Sequence, residues 1–409
     1  TKDGTGVATF NFANTYTGAT TVSAGTLRLG AAERISDTSV MTVASGGTFD
    51  MNGNNETLGS LAGAGSVTLG AATLTEGGLN TSTTFSGSIS GAGGLTKTGT
   101  GTLTLSGVNS YDGATAINVG VILAQSSSAL GSTVGGTTVT AGAALELDGG
   151  IGIGAEALTL NGTGIAAAGA LRNISSANSF GGAITLGAAT RINSDAGTLT
   201  LSGGITGAQV LTFGGAGNIA ESGVIATGAG TVTKDGAGTL TLTGANTFTG
   251  AATISNGTLS INSIANGGVA SPLGASVAGT AVVLGSAGAQ GILSYTGGAG
   301  ATDRTFTVGG AGGGRMNNNG SGDLTLNGAI NNAGNPFAIG GSANTTLLGN
   351  LAGAGTLTKD GSGTLSFGGA KTYAGATTVN GGALALLAGS TANTSAFTLN
   401  PLGTLSGFG

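Results

Sequence analysis

The sequence predicts an all-β fold, an elongated β-solenoid of about 17–20 short coils, and three observations predict it. Glycine supplies 87 of the 409 residues. One phrase of about 30 residues is written four times. Within it apolar residues recur with a period of two rather than the period of a helix.

Glycine at that level suggests collagen, but collagen needs it at every third position with abundant proline, and the chain has three prolines. Disorder is opposed by 39% hydrophobic and only 7% charged residues. The chain is expected to fold. Residues 236–302 carry no charged side chain, yet Gly, Ser, Thr or Asn interrupts the window every few positions. No transmembrane segment is expected. The opening "TKDGTG" lacks a basic start followed by an apolar stretch, so the chain reads as a mature fragment or an intracellular protein. Without cysteine there are neither disulfides nor thiolate metal sites, which also suits a chain that crosses a periplasm unfolded. A net charge of −5, thinly spread, argues against nucleic acid as a partner.

Anchored on one lysine, the copies run without a gap: "TKDGTGVATFNFANTYTGATTVSAGTLRL" from Thr1, "TKTGTGTLTLSGVNSYDGATAINVGVILA" from Thr96, "TKDGAGTLTLTGANTFTGAATISNGTLSI" from Thr233 and "TKDGSGTLSFGGAKTYAGATTVNGGALAL" from Thr358. Lys2, Lys97, Lys234 and Lys359 each precede an aromatic, Tyr16, Tyr111, Phe248 or Tyr373, by 14 positions. These eight residues define the repeat. A second alternating segment follows each copy, for example "TTVTAGAALEL" and "ASVAGTAVVL". The lysines lie 95, 137 and 125 residues apart, so the larger units are unequal: about 1–93, 94–229, 230–354 and 355–409, within one continuous solenoid over 1–409.

"TLTL" at 102–105 and 239–242, with "VTLG", "ALTL", "TFTV" and "DLTL" elsewhere, alternates β-branched polar with apolar residues. These are short half-buried strands. Asp-Gly, Asn-Gly, Gly-Gly and Ser-Gly pairs bound them and supply the positive φ of tight corners. Strands of one Thr-rich type pair best in register with their own copies, which favours stacked coils over a sandwich of hairpins. Leu, Val, Ile and Phe then face inward, and Thr and Ser face water.

The phrase G-x-G-T-L-T-K-D-G-x-G-T-L-T-L-x-G-x-N-T-Y-x-G-x-T-x-V-x-x-G-T-L-x-L resembles the autotransporter-associated β-strand repeat, also called the passenger-associated transport repeat, of bacterial type V secreted proteins. Residues 169–205 between copies also look like sequence found between such repeats. The resemblance implies a right-handed parallel β-helix, displayed outside a Gram-negative cell at its outer membrane, with the repeat assisting passage or folding of the passenger. It also implies an adhesin or surface fibre. The signal sequence and the C-terminal translocating β-barrel of the full pattern are not in this chain.

Chemistry is sparse. With no histidine and no cysteine, Ser/His/Asp and Cys/His catalysis are excluded from this chain. The lysines, Lys371 included, read as solvated corner residues. Glu146 and Asp148 in "ALELDGG" form the best acidic pair; they share the outward face with no Arg or Lys nearby in sequence, and read as a solvated strand edge. "NGSGDL" at 319–324 is the nearest fragment to a calcium-binding nonapeptide and occurs once. No cofactor or metal is expected. Because Phe248 replaces tyrosine, the aligned rings read as corner packing rather than sugar binding. Asn14, Asn109 and Asn246, two residues before the ring, suit a capping turn, which Lys371 breaks in the fourth copy.

Two readings follow. The first is a non-enzymatic structural or adhesive surface protein, which meets a host surface, an abiotic surface or a glycan. The alternative is a carbohydrate-binding or carbohydrate-cleaving β-helix, which a loop of more than about 15 residues over one face favours. The ends add an expectation: "TLSGFG" placed before "TKDG" nearly rebuilds the repeat's leader, so either the chain is one segment cut from a longer array of such units or its two ends are shaped to abut, and uncapped ends are expected to stack head to tail in a fibre.

Overall fold

A computed structural model of the chain describes residues 1–407. Phe408 and Gly409, on which the junction at the ends draws, lie outside the described residues. There are two compact units, Thr1–Gly203 and Gly204–Gly409. Each is a β-solenoid of short parallel strands, and between them they make about 19 turns, inside the expected range. The only helical element among the described residues is the three-residue 3₁₀ turn Ile165–Ala167. No helix is long and apolar enough to cross a membrane.

In the first unit one ladder runs through Glu56–Leu58, Leu74–Glu76, Leu95–Lys97, Thr115–Ile117, Thr137–Val139, Leu158–Leu160 and Ile184–Leu186. Every step is parallel and unslipped: Leu95 stands opposite Leu74 and Thr115, and Thr96 opposite Thr75 and Ala116. Register is held because a shift of one residue would turn the whole inner set outward. The three-residue strands of this ladder show it directly, since their first and third residues are buried and the second half-exposed, as in Leu74–Glu76 and Leu158–Leu160, or exposed, as in Thr137–Val139.

The second unit repeats the arrangement. Val232–Lys234, Ala252–Ile254, Val282–Leu284 and Phe306–Val308 form one ladder, and Thr239–Leu242, Gly257–Ile261, Gly291–Tyr295 and Gly314–Asn318 another. Leucine, isoleucine, valine and phenylalanine fill the interior, Leu103, Leu105, Leu284, Phe306 and Leu326 being essentially inaccessible. The alternation read from "TLTL" is therefore an inside–outside alternation. Burial of each such side chain stabilises by about 1.5–3 kcal/mol, spread coil by coil.

Not every inward position is apolar. Glu56, Glu76, Lys97, Thr115 and Thr137 occupy inward positions of the same first-unit ladder and are buried. Buried polar atoms need partners, and those partners define the site.

Candidate functional site

The repeat lysines do not sit in water. Lys97, Lys234 and Lys359 are 1%, 4% and 2% exposed, and Lys2 is half-buried. This corrects the expectation of solvated corners. The alternation that places Leu95 inward also places Lys97 inward, and the glycine-rich turn that follows bends its carbonyls back over the ammonium. Lys234 Nζ donates to the carbonyl oxygens of Asp235 at 2.7 Å, Gly236 at 2.8 Å and Asn256 at 3.2 Å. Lys359 Nζ donates to Asp360 at 2.6 Å, Gly361 at 3.1 Å and Gly381 at 3.0 Å. Lys2 Nζ repeats the set on Asp3, Gly4 and Ala24. An ammonium has three donors, and three carbonyls take them. Two come from its own turn and the third from the following coil.

Lys97 differs in detail. Its ammonium donates to the carbonyls of Thr98 and Gly99, and Glu76 of the preceding coil stands opposite it in register. Thr98 takes the place of the aspartate that follows the lysine in the other copies, so the nearby carboxylate comes from a neighbouring coil instead. Burial holds the ammonium of Lys97 below the ordinary lysine range, and Glu76 offsets part of this. Burial does the same to Lys359, with Asp360 opposing it.

The glycine of the phrase V-x-x-G-T-L belongs to the same device. Gly25, Gly120, Gly257 and Gly382 have φ of +67°, +73°, +73° and +67°. A Cβ on any of them would lie 2.4–2.6 Å from two carbonyl oxygens of the preceding coil, Gly236 and Gly238 in the case of Gly257. Both the left-handed backbone and the close approach exclude a side chain. The glycine lets the following coil press its carbonyl onto the lysine.

Of the aligned rings, Tyr111, Phe248 and Tyr373 are fully buried, and Tyr16 in the first coil is 38% exposed. The hydroxyl is nevertheless not idle. Tyr16, Tyr111 and Tyr373 each share a hydrogen bond with the threonine hydroxyl four residues on, Thr20 at 2.7 Å, Thr115 at 2.6 Å and Thr377 at 2.5 Å. Where the ring is Phe248, that position is Ala252. Phenylalanine thus replaces tyrosine together with the loss of its partner, which corrects the view that only the ring matters and avoids an orphaned buried hydroxyl.

The asparagines before the ring join coils, and only Asn14 also makes a local turn contact, donating to the Phe12 carbonyl at 3.1 Å. Asn109 Oδ1 accepts from the Ile89 amide at 2.9 Å while its Nδ2 donates to the Ala129 carbonyl at 2.7 Å. Asn246 does the same with Ile225 and Pro272, and Asn14 Nδ2 reaches the Arg34 carbonyl. In the fourth copy Lys371 is 1% exposed, donates to the Gly368 carbonyl and lies 5.6 Å from the centre of the Phe367 ring. It too is not a solvated residue.

Glu146 and Asp148 share the outward face as expected, but a cation does approach Glu146. Arg172 of the next coil bonds Glu146 at 2.8 Å and Asp195 at 2.5 Å. Asp148 accepts from Ser175 at 2.6 Å and Gln125 at 3.1 Å, and those bonds hold it below the usual carboxylate range. Glu146 is thus committed to an ion pair between coils and Asp148 to hydrogen bonds from neutral side chains of the coils on either side.

Sequence reasoning missed two groups. Four glutamates are buried: Glu56, Glu76, Glu156 and Glu221. Burial pushes Glu56 and Glu76 up to about 7 and Glu221 up to about 8. "LTE" at 74–76 aligning with "LTK" at 95–97 is the signal that places Glu76 inward. The second is Arg304, fully buried, which donates to Ala265, Val269 and Gly274 carbonyls and to Ser276. It secures the 20-residue excursion 262–281 between two strands, longer than the length set for a ligand-capping loop. The excursion folds onto the repeat, with Pro272 bonding Asn246 and Gly274 against the Phe248 ring.

Residues 1–29, 95–124, 232–261 and 357–386 match the family described as passenger-associated-transport-repeat. Over 356 residues, 81% of this chain, the sequence is 32% identical to the protein described as "Adhesin BmaC autotransporter" of Brucella suis biovar 1 (strain 1330). The chain spans 9% of the length of that relative. No solved structure matches.

Two outcomes are expected. Phe248→Tyr destabilises by about 1–3 kcal/mol because its hydroxyl is buried without a partner, and adding Ala252→Thr recovers most of that loss in a urea-denaturation double-mutant cycle; zero coupling would refute the pairing. Stability also depends on pH. The folded-state values of about 7 for Glu56 and Glu76 and about 8 for Glu221 lie above the ordinary 4.5, so their stabilisation is complete below 4.5 and is lost as pH rises through the folded values. The denaturation midpoint therefore falls between about pH 5 and about pH 8, and Glu221→Gln flattens the slope; a midpoint rising over that span contradicts the assignment.

Proposed function

We propose that a chain built on four passenger-associated transport repeats is an adhesive segment of an autotransporter passenger, non-enzymatic, and secreted or displayed on the surface of a Gram-negative bacterium. The observation that carries this is likeness to an autotransporter adhesin over 81% of the chain, joined to a fold whose polar contacts are spent between coils. The carboxylates best placed for chemistry, Glu146 and Asp148, are engaged by Arg172, Ser175 and Gln125. An adhesive solenoid of this kind binds through its outer face, whose residues are largely Thr, Ser, Asn and Gly. Latex beads coated with the purified chain are expected to be retained on epithelial monolayers several-fold better than albumin-coated beads. Equal retention, or binding confined to defined sugars on a glycan array, would move the assignment to the carbohydrate-binding reading.

The fibre reading is a finer proposal, and it draws on the coil Phe397–Gly407. Phe397, Leu399 and Leu405 are 41%, 48% and 53% exposed, and Leu402 is 81% exposed. They pair with Thr377, Val379, Leu384 and Gly381. One turn after the first repeat the matching residues, Met41, Val43 and Phe49, are completely buried, and the next coil, through Leu61, Gly63 and Val67, pairs with them. We read this face as one that a further coil packs on, whether the next coil of a longer chain or a coil of a second copy, and in the purified chain a second copy is what can supply it. Light scattering of the purified chain is expected to show size growing with concentration, and Leu402→Lys with Leu405→Lys to abolish the growth; a strictly monomeric parent chain at high concentration excludes stacking.

A further inference from the structure

We infer that the repeat lysine is a two-coil latch, closed by a carbonyl of the following coil in the first, third and fourth copies and faced by Glu76 of the preceding coil in the second, and that this latch is what the repeat contributes to delivering the chain to the cell surface, an inference that rests on the passenger reading. All five lysines of the chain lie within the four repeats, and none lies in the spacer coils. A residue used for solubility would be scattered over the surface. Lysine here is confined to one corner, plus Lys371 in the fourth copy.

The geometry makes the latch cooperative. While a repeat's first coil stands alone, its turn offers the ammonium two carbonyls, such as Asp235 and Gly236 for Lys234. Burying an ammonium with its third donor unpaired is costly, so the side chain stays in water. Docking of the following coil supplies Asn256, as it supplies Gly381 to Lys359 and Ala24 to Lys2. Gly257, Gly382 and Gly25 permit that approach by lacking a Cβ. The lysine then desolvates and makes its three bonds in one event. Asn246 adds a second tie in the third repeat, from Ile225 on one side to Pro272 on the other.

Spacer coils add free energy in small, reversible steps. A latched pair of coils opens only by exposing an ammonium and three carbonyls together. On a chain threading outward unfolded, latches 95, 137 and 125 residues apart act as points past which it does not slip back. Glutamine or methionine at the lysine position cannot supply three donors.

The test fuses the full chain to an autotransporter β-barrel in a laboratory Gram-negative strain and follows Lys234→Met, Gly257→Ala and, as a comparison of similar cost, Leu326→Ala in a spacer coil. In the purified chain, Lys234→Met and Gly257→Ala are expected to raise amide exchange across residues 232–261 by about tenfold or more, leaving residues 300–340 unchanged. Lys97, Lys234 and Lys359 are expected to resist reductive dimethylation in the parent. On cells, both latch variants lower surface delivery several-fold while Leu326→Ala does not. Unchanged exchange in 232–261, or ready methylation of Lys234, overturns the latch. Local loosening with normal delivery, or equal loss in Leu326→Ala, overturns its role in export while leaving the latch standing. Failure of the parent chain to reach the surface overturns the passenger reading itself.

Discussion

Everything in this fold depends on a coil being unable to satisfy itself. A strand of three or four residues leaves its amides and carbonyls open on both edges, and only the coils before and after can take them in register. Parallel pairing at each step follows, and with it the columns of like side chains. Thr57, Thr75 and Thr96 stand above one another because their backbones must.

The same constraint governs the polar interior. Lys234 needs Asn256, Asn109 needs Ile89 and Ala129, and Glu56 accepts from the Arg34 and Ile35 amides a coil earlier. Each is a side chain completing what the backbone ladder leaves undone at a corner. Such groups add modestly to net stability and strongly to uniqueness, since a slipped register strands them in the core. The Tyr–Thr pairing, with Phe248 standing over Ala252, shows the rule kept by changing both partners together.

The coils, their strands and their corners were legible in the sequence because alternation and Asp-Gly pairs are local signals. The rings were legible as packing for the same reason. The lysines were not, since a cation beside Asp-Gly looks like surface, and only the carbonyl from 22 residues further on makes burial tolerable. Arg172 beside Glu146 was hidden likewise by a separation of 26 residues in the chain. Arg304 is the hardest case: its partners lie between 28 and 39 residues away, in a segment with no regular structure to flag it. What a sequence window misses here is always the adjacent turn of the stack.

Placing the cations indoors has a consequence outside the fold. Lys97, Lys234, Lys359, Lys371 and Arg304 are buried, while Arg28, Arg172 and Arg315 lie in strands and are clamped to carboxylates. Trypsin-like proteases must seize an extended segment by such a side chain, so at these eight residues the folded chain offers them little grip, and digestion there must wait for the coils to open. The folded chain is thereby shielded by the same residues that hold its turns together.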